Sequence, residues 1–308
     1  MTAVDVGSSV EARPYDAPIS RRLRPLLFLS PTLVALLAIT FFPLLYSLYL
    51  ASHTVILTNP MLSGWSLSEN LQQVFLDGSY YWDSLLITMI LVVLVVSIEF
   101  VFGFGLAYIF FQSFPGRDRL FPLFLMPMML TPVVVGTIWR FLFNGEFGLI
   151  AAVLKAAGVQ NYSLLNDPST AWLGVVIADV WQWTPFMMLL ILAGMRALPL
   201  SPFEAARVDG ASTRQLFFHF MLPMLKPVIL VAVLIRTIDA FNRLFDSIYI
   251  MTNGGPGRAT EILAVMAFRQ SFQYMFIHHA AVVALSMLLI VTVLVKLLHR
   301  FISRAGRS

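Results

Sequence analysis

Arg236, Asp239, Arg243 and Asp246 follow one another at steps of three, four and three residues. On a helix this spacing keeps all four within about 80° of one face. Their signs alternate, so neighbours can pair along the helix. They lie in an otherwise apolar stretch, 227–250. Facing lipid, they would cost on the order of 10 kcal/mol together, at about 2.5–3.5 kcal/mol each. They must therefore face protein or water. Two compatible readings follow. One is a self-neutralised structural ladder; the other is a stripe that, with Asn242, lines a polar path. A paired ladder keeps such a path polar but weakly charged, which suits neutral sugars or polyols. Trp181, Gln182 and Trp183 lie near the middle of another apolar stretch. Aromatic faces stack on sugar faces and an amide supplies hydrogen bonds, although packing is the plainer role for a tryptophan in such a segment. Glu99 is a lone carboxylate in a third apolar stretch. It can pair with Arg140 or Arg236, stay protonated, or contact a solute, and the sequence leaves these open. His53, His219, His278, His279 and His299 are scattered, and even the adjacent pair has no acidic third ligand in view. No metal site is expected.

The elements that must hold these residues are membrane spans. The 308 residues are 59% hydrophobic and 12% charged, against about 25% charged in a soluble domain. An all-α integral membrane protein follows. With no cysteine, disulfides, thiolate metal sites and cysteine nucleophiles are excluded. The net charge of +4 is parcelled among loops, so no nucleic-acid partner is expected. Residues 1–25 read as a polar tail. The run 26–50 exceeds a signal-peptide core of about 7–15 residues and reads as a retained first span. Five further spans are expected at 83–112, 120–143, 171–195, 227–250 and 279–299, each near the roughly 20 residues a bilayer needs. Pro43, Pro127, Pro132 and Pro185 inside them predict kinks. A single domain, 26–300, then ends in a short tail, 301–308.

Charge fixes the expected orientation. Arg13, Arg21, Arg22 and Arg24 precede the first span; Arg117 and Arg119, then Arg196, Arg207, Arg214 and Lys226, then Lys296, Arg300, Arg304 and Arg307 mark every second segment after it. Segment 51–82 has no lysine or arginine, 144–170 has only Lys155, and 251–278 has Arg258 and Arg269. The positive-inside rule puts both termini, and the loop 196–226, in the cytoplasm. Trp65, Tyr80, Tyr81 and Trp82 suit an interfacial belt on the other side. Leu149, Ile150, Val153 and Leu154 give a short amphipathic helix ending at Gly158. Asn161-Tyr162-Ser163 fits a glycosylation pattern too frequent by chance to use.

The stretch 199–226 is polar and helix-capable. Ser201-Pro202-Phe203-Glu204 reads as a capping box with proline at the first helical position. That helix should run through Val208 and stop at Gly210, a left-handed cap. Ser212-Thr213-Arg214-Gln215 reads as a second capping box, opening a helix from Thr213 to about Met221 that Pro223 closes. Ala205 and Ala206 permit close approach, while Leu216, Phe217, Phe220 and Met221 carry apolar surface that something should cover. Local signals alone fit two cases equally: a hairpin packed on its own spans, and a docking device.

The pattern Glu204-Ala205-Ala206-Arg207-Val208-Asp209-Gly210, followed after eleven residues by Leu222-Pro223, resembles the coupling loop (EAA motif) of ABC importer permeases. Asp179-Val180-Trp181-Gln182-Trp183-Thr184-Pro185-Phe186 is similar to a fourth-span signature of their carbohydrate branch. Asp246 to Gly257, followed by Ala259-Thr260-Glu261, is similar to the segment after the fifth span. Two positions depart from the pattern: Ile87, where an asparagine is common, and Asn253, where a glycine is. The resemblance covers roughly residues 26–300. It implies a six-helix type I importer transmembrane domain in a bacterial or archaeal cytoplasmic (inner) membrane, with the coupling loop in a groove of a cytoplasmic ATPase dimer. It further implies a second, related permease, an extracytoplasmic solute-binding protein and a sugar substrate. ATP and Mg would be used by the ATPase, with no cofactor bound by this chain.

The sequence has no GxxxxGK[ST], HExxH or GxSxG, so it offers no phosphate-binding loop, metalloprotease helix or nucleophile elbow. The expectation is a permease subunit and not an enzyme. A permease for another solute, such as an organophosphate or a peptide, is the alternative. A secondary transporter fits less well, because six spans without a detectable inverted repeat are thin for that class.

Overall fold

The computed structural model describes residues 23–55, 64–77, 80–158 and 164–305. The N-terminal tail up to Arg22 and the Asn161-Tyr162-Ser163 tripeptide lie outside them. The chain divides into two units, residues 1–47 and 48–308. Helix α1 (Leu23–Ser52) passes from one to the other. Within the first unit none of its side chains from Phe28 to Ser47 is buried, as suits a helix whose solvent is hydrocarbon.

The second unit is a helical bundle with one two-residue hairpin, β1 (His53–Thr54) against β2 (Gly64–Trp65). Then come α2 (Leu67–Phe75), α3 (Tyr81–Phe111), α4 (Arg117–Met129), α5 (Pro132–Leu142), α6 (Leu149–Ala156) and α7 (Ala171–Arg196). After α7 follow α8 (Ser201–Val208), the single turn α9 (Thr213–Gln215), α10 (Leu222–Met251), α11 (Leu263–Phe268) and α12 (Ile277–Ala305). The amphipathic helix expected after Leu149 is α6, with Gly158 left-handed (φ +88°) behind it. Neither the hairpin nor α2 was expected. Of the proposed aromatic belt, Trp65, Tyr80 and Trp82 are exposed, whereas Tyr81 is buried edge-on against Phe75 at 4.6 Å. The tail expected from 301 is helical to Ala305.

The third expected span, 120–143, is not one helix. It breaks at Leu130–Thr131, and α4 and α5 meet at 94°. Both break residues are extended, with ψ near 145° (146° and 144°). Pro132 forces this on Thr131, because its ring clashes with a helical predecessor. The break frees the Leu130 carbonyl, and Gln182 Nε2 donates to it at 2.9 Å. A neighbouring helix thus satisfies the backbone group that proline released, as apolar surroundings demand.

α3 and α7 form the most intimate helix pair. At their crossing a Cβ on Gly103 would meet Met187 Cβ and Cγ at 2.8 Å and the Met188 amide at 3.0 Å. Small residues let membrane helices approach this closely. Gly103→Leu is expected to destabilise the protein by more than the roughly 1–3 kcal/mol typical of overpacking, because backbone lines the gap. Thermal unfolding in detergent, against Gly105→Leu where a Cβ meets nothing within 4 Å, checks this.

At the end where α3 begins, the segment after α10 folds back on the bundle. Thr252 and Thr260 hydroxyls lie 2.7 Å apart, and Thr260 Oγ1 donates to the Gly255 carbonyl at 2.9 Å. Asn253 has φ +49°; asparagine is one of the few L-residues that tolerates this region, which accounts for the departure from glycine. Thr88, beside the other departure, accepts the Leu263 N–H at 2.9 Å and so ties α3 to the start of α11.

Candidate functional site

Two regions answer to the residues singled out from the sequence. The first is 199–226. α8 begins at Ser201 with Leu200 as its N-cap and no side-chain cap. The expected Ser201–Glu204 capping box is therefore not formed: Ser201 is already inside the first turn. The glycine stop is as expected. Gly210 has φ +84°, and Gly210 N–H and Ala211 N–H close the helix on the Arg207 and Ala206 carbonyls at 3.0 and 2.9 Å. The second capping box is complete. Gln215 N–H donates to Ser212 Oγ at 3.3 Å and Ser212 N–H donates to Gln215 Oε1 at 2.8 Å.

The second helix does not close at Pro223. Residues Thr213–Met251 run as one helical rod of 39 residues, with Leu222 and Pro223 in the first turn of α10. Proline lacks the N–H that an α-ladder needs and crowds the preceding turn. The backbone widens instead: Leu216–Met221 is π-helical, and Leu222 N–H bonds back five residues to Phe217. The segment that starts at Thr213 and the long helix α10 are therefore mechanically continuous.

The apolar surface of this element is largely covered from within. Leu216 is buried, and Phe217 sits edge-on to Phe104 and Tyr108 of α3 at 5.8 and 5.2 Å. Phe203 meets Phe220 at 6.4 Å. Ala206 is buried while Glu204, Ala205, Asp209 and Gly210 are exposed. Val208 at the tip is 88% exposed. A cavity of about 440 Å³ separates α8 from the ends of α3 and α7, lined by Tyr108, Phe111, Leu198, Phe203, Glu204 and Phe217 among others.

The second region is a charge cluster. Arg236 is fully buried and holds Glu99 with two hydrogen bonds, Nε to Oε2 at 2.6 Å and Nη2 to Oε1 at 2.8 Å. Nη2 also donates to Asp179 Oδ2 at 2.5 Å, and Nη1 to Asp239 Oδ2 at 3.1 Å. Asp239 in turn pairs with Arg243 at 2.5 Å. One guanidinium thus joins α3, α7 and α10. Of the options for Glu99 the structure selects Arg236; Arg140 donates to the Ile250 carbonyl instead.

The pairing foreseen along α10 covers Arg236, Asp239 and Arg243 but stops there, since Asp246 has no cationic partner among the described residues. Asp179 was read only as part of a signature. A carboxylate inside a span is a functional candidate on that ground alone, and this signal could have flagged it.

The aromatic triplet separates. Consecutive helical residues turn by about 100°, so Trp181 and Trp183 cannot share a face. Trp183 lies under both guanidiniums, 5.3 Å from Arg236 and 5.1 Å from Arg243. Trp181 is partly exposed and edge-on to Trp139 at 5.8 Å. Gln182 is fully buried on the α4–α5 break, so it does not line an open path. Exposed Arg243 and Asn242, half-buried Asp239 and Asp246, and Trp183 form a polar strip beside the buried cluster.

Residues 99–307 match the family described as "Binding-protein-dependent transport system inner membrane component". The chain is 36% identical over 242 residues to the trehalose/maltose transport system permease protein MalF of Thermococcus litoralis, covering 79% of this chain and 81% of that one. It is 32% identical to the sulfoquinovosyl glycerol transport system permease protein SmoG of Agrobacterium fabrum, covering 86% of each. Its fold is similar to a chain of a bacterial ABC transporter involved in the import of the acidic polysaccharide alginate, with a TM-score of 0.80 at 18% identity over 92% of this chain and 96% of that one. With a family match over more than half its length and relatives aligned over most of theirs, this chain belongs to the inner membrane components of binding-protein-dependent transport systems.

Proposed function

We propose that this chain is one of two permease subunits in an ATP-driven importer that takes up a sugar or sugar derivative delivered by an extracytoplasmic binding protein. The relatives' named cargoes, trehalose/maltose and sulfoquinovosyl glycerol, support a sugar over an organophosphate or a peptide. A partner ATPase dimer binds ATP and Mg and does the hydrolysis. Both termini and the Glu204–Pro223 loop lie in the cytoplasm, where the loop, through the exposed Glu204, Ala205, Asp209 and Gly210, seats in the ATPase, with Ala206 buried beneath them.

The observation that carries this reading is the continuity of Thr213–Met251. A lever seated at α8 and α9 is bonded through its own backbone to the helix that bears Arg236. When the ATPases close, the loop moves inward, α10 moves with it, and Arg236 carries α3 and α7 along. The strip of Trp183, Asp239, Asn242, Arg243 and Asp246 then lines the half of the path that this subunit provides. The Asp239–Arg243 pair and Asp246, unpaired among the described residues, keep it polar, and Trp183, held under the two guanidiniums, gives it an aromatic wall.

The cysteine-free sequence allows a direct test. In right-side-out vesicles, Val208→Cys and Ala205→Cys should resist a membrane-impermeant maleimide and react fully once the vesicles are opened. Labelling from the outer face would overturn the orientation and the lever with it. Uptake of a panel of labelled sugars, polyols and an organophosphate in a deletion strain identifies the cargo.

A further inference from the structure

At the end of the bundle opposite the coupling loop, a second cavity has no part in that lever. It measures about 280 Å³ and is lined by polar groups including Arg140, Asn144, Asn166, Thr252 and Asn253. Three elements bring them together: the end of α5, the approach to α7 and the end of α10. Arg140 is exposed and donates one hydrogen bond, to the Ile250 carbonyl at 3.0 Å. Among the described residues no carboxylate forms an ion pair with it. Asn144 Oδ1 accepts the Glu146 and Phe147 N–H groups at 2.9 and 3.2 Å, which leaves its NH₂ as a donor. Asp167, next to Asn166, is engaged by the Ser169 N–H and hydroxyl at 2.8 and 2.7 Å. The cavity therefore offers a solvent-facing guanidinium and side-chain amides, with no carboxylate lining it among the described residues.

This chemistry recognises a carboxylate, because a guanidinium and an amide N–H each form charge-assisted hydrogen bonds to it. Size chooses the carrier. At about 280 Å³ the cavity falls just below the roughly 300–1,000 Å³ of small-molecule sites, which favours a single inserted side chain over an oligosaccharide. The geometry points to this cavity as a docking socket for an acidic side chain of the extracytoplasmic binding protein. The inference rests on the importer reading above, whose orientation turns this end outward.

The test uses the complete importer in nanodiscs, titrated with its own solute-loaded binding protein while stimulated ATP hydrolysis is read. Arg140→Glu should raise the half-saturating concentration about tenfold or more, through like-charge repulsion across the contact. Arg140→Lys should keep most of the affinity. Asn166→Asp should weaken it without touching Arg140, by supplying the socket with its own carboxylate. The salt dependence of half-saturation should shrink in Arg140→Ala. Unchanged half-saturation in both Arg140→Glu and Asn166→Asp, with wild-type stimulation intact, overturns the socket alone. Receptor-independent binding of labelled solute that Arg140→Ala abolishes also overturns it, in favour of a solute site. A wild-type complex that the binding protein fails to stimulate removes the importer reading and the socket together.

Discussion

Replacing Gly210 with valine is expected to leave the protein in the membrane and the ATPase turning over, while uptake falls about tenfold or more, the rate equivalent of roughly 1–2 kcal/mol of misfit in the seated loop. The reason is local. Gly210 sits at φ +84° with nothing within 4 Å of where a Cβ would project. Space is therefore not the constraint; backbone conformation is, and a β-branched residue is the least suited to that region. To relieve the strain the turn must open, and the Ala211 N–H to Ala206 carbonyl bond that fixes α8 against α9 is lost. On the coupling role proposed above, the loop would then meet the ATPase with the wrong angle between its two helices. Gly210→Asn, which tolerates a left-handed backbone, should retain most uptake. Parallel measurements of hydrolysis and solute uptake in proteoliposomes distinguish uncoupling from simple loss of folding. Unchanged uptake in Gly210→Val would take the coupling role away from this turn.

The largest stability effect is expected at Arg236. Removing one member of a buried ion pair costs about 3–5 kcal/mol, because its partner is left charged and dry. Arg236 has two such partners, Glu99 and Asp179, both essentially without solvent exposure. Arg236→Met should therefore lie at or above the top of that range, read as a lower midpoint of thermal unfolding in detergent, with uptake lost. Arg243→Met should cost far less, since Arg243 is half exposed and its one ion pair among the described residues is with Asp239. The triple replacement Glu99→Gln, Asp179→Asn, Arg236→Met should recover much of the stability, since replacing a whole buried network can be close to neutral. Should it recover uptake as well, the cluster would be a structural clasp without a part in transport. Recovered stability without uptake would show that the charges do more than join α3, α7 and α10.

Composition and pattern reached far into this protein, because local rules govern much of it. Apolar runs of bilayer length predict spans, since no other element satisfies its backbone in hydrocarbon. The α8 stop at Gly210 and the Ser212–Gln215 capping box are decided within a few residues of sequence and could be read there. The stripe from Arg236 to Asp246 could be placed on one face by its spacing. Long-range packing decided the rest. Pro127 and Pro132 announce a disturbance in the third span, but a 94° break rather than a kink requires an outside donor for the Leu130 carbonyl, and Gln182 lies 52 residues away. Pro223 looks like a stop, yet a π-helical turn carries the rod past it. Within that turn Phe217 lodges against Phe104 and Tyr108, residues more than a hundred positions away in sequence. Arg236 had helical neighbours to pair with, but its strongest partners came from two other helices. A charge in a low-dielectric interior takes whichever counter-charges the packed bundle delivers, and that delivery is a property of the assembled fold.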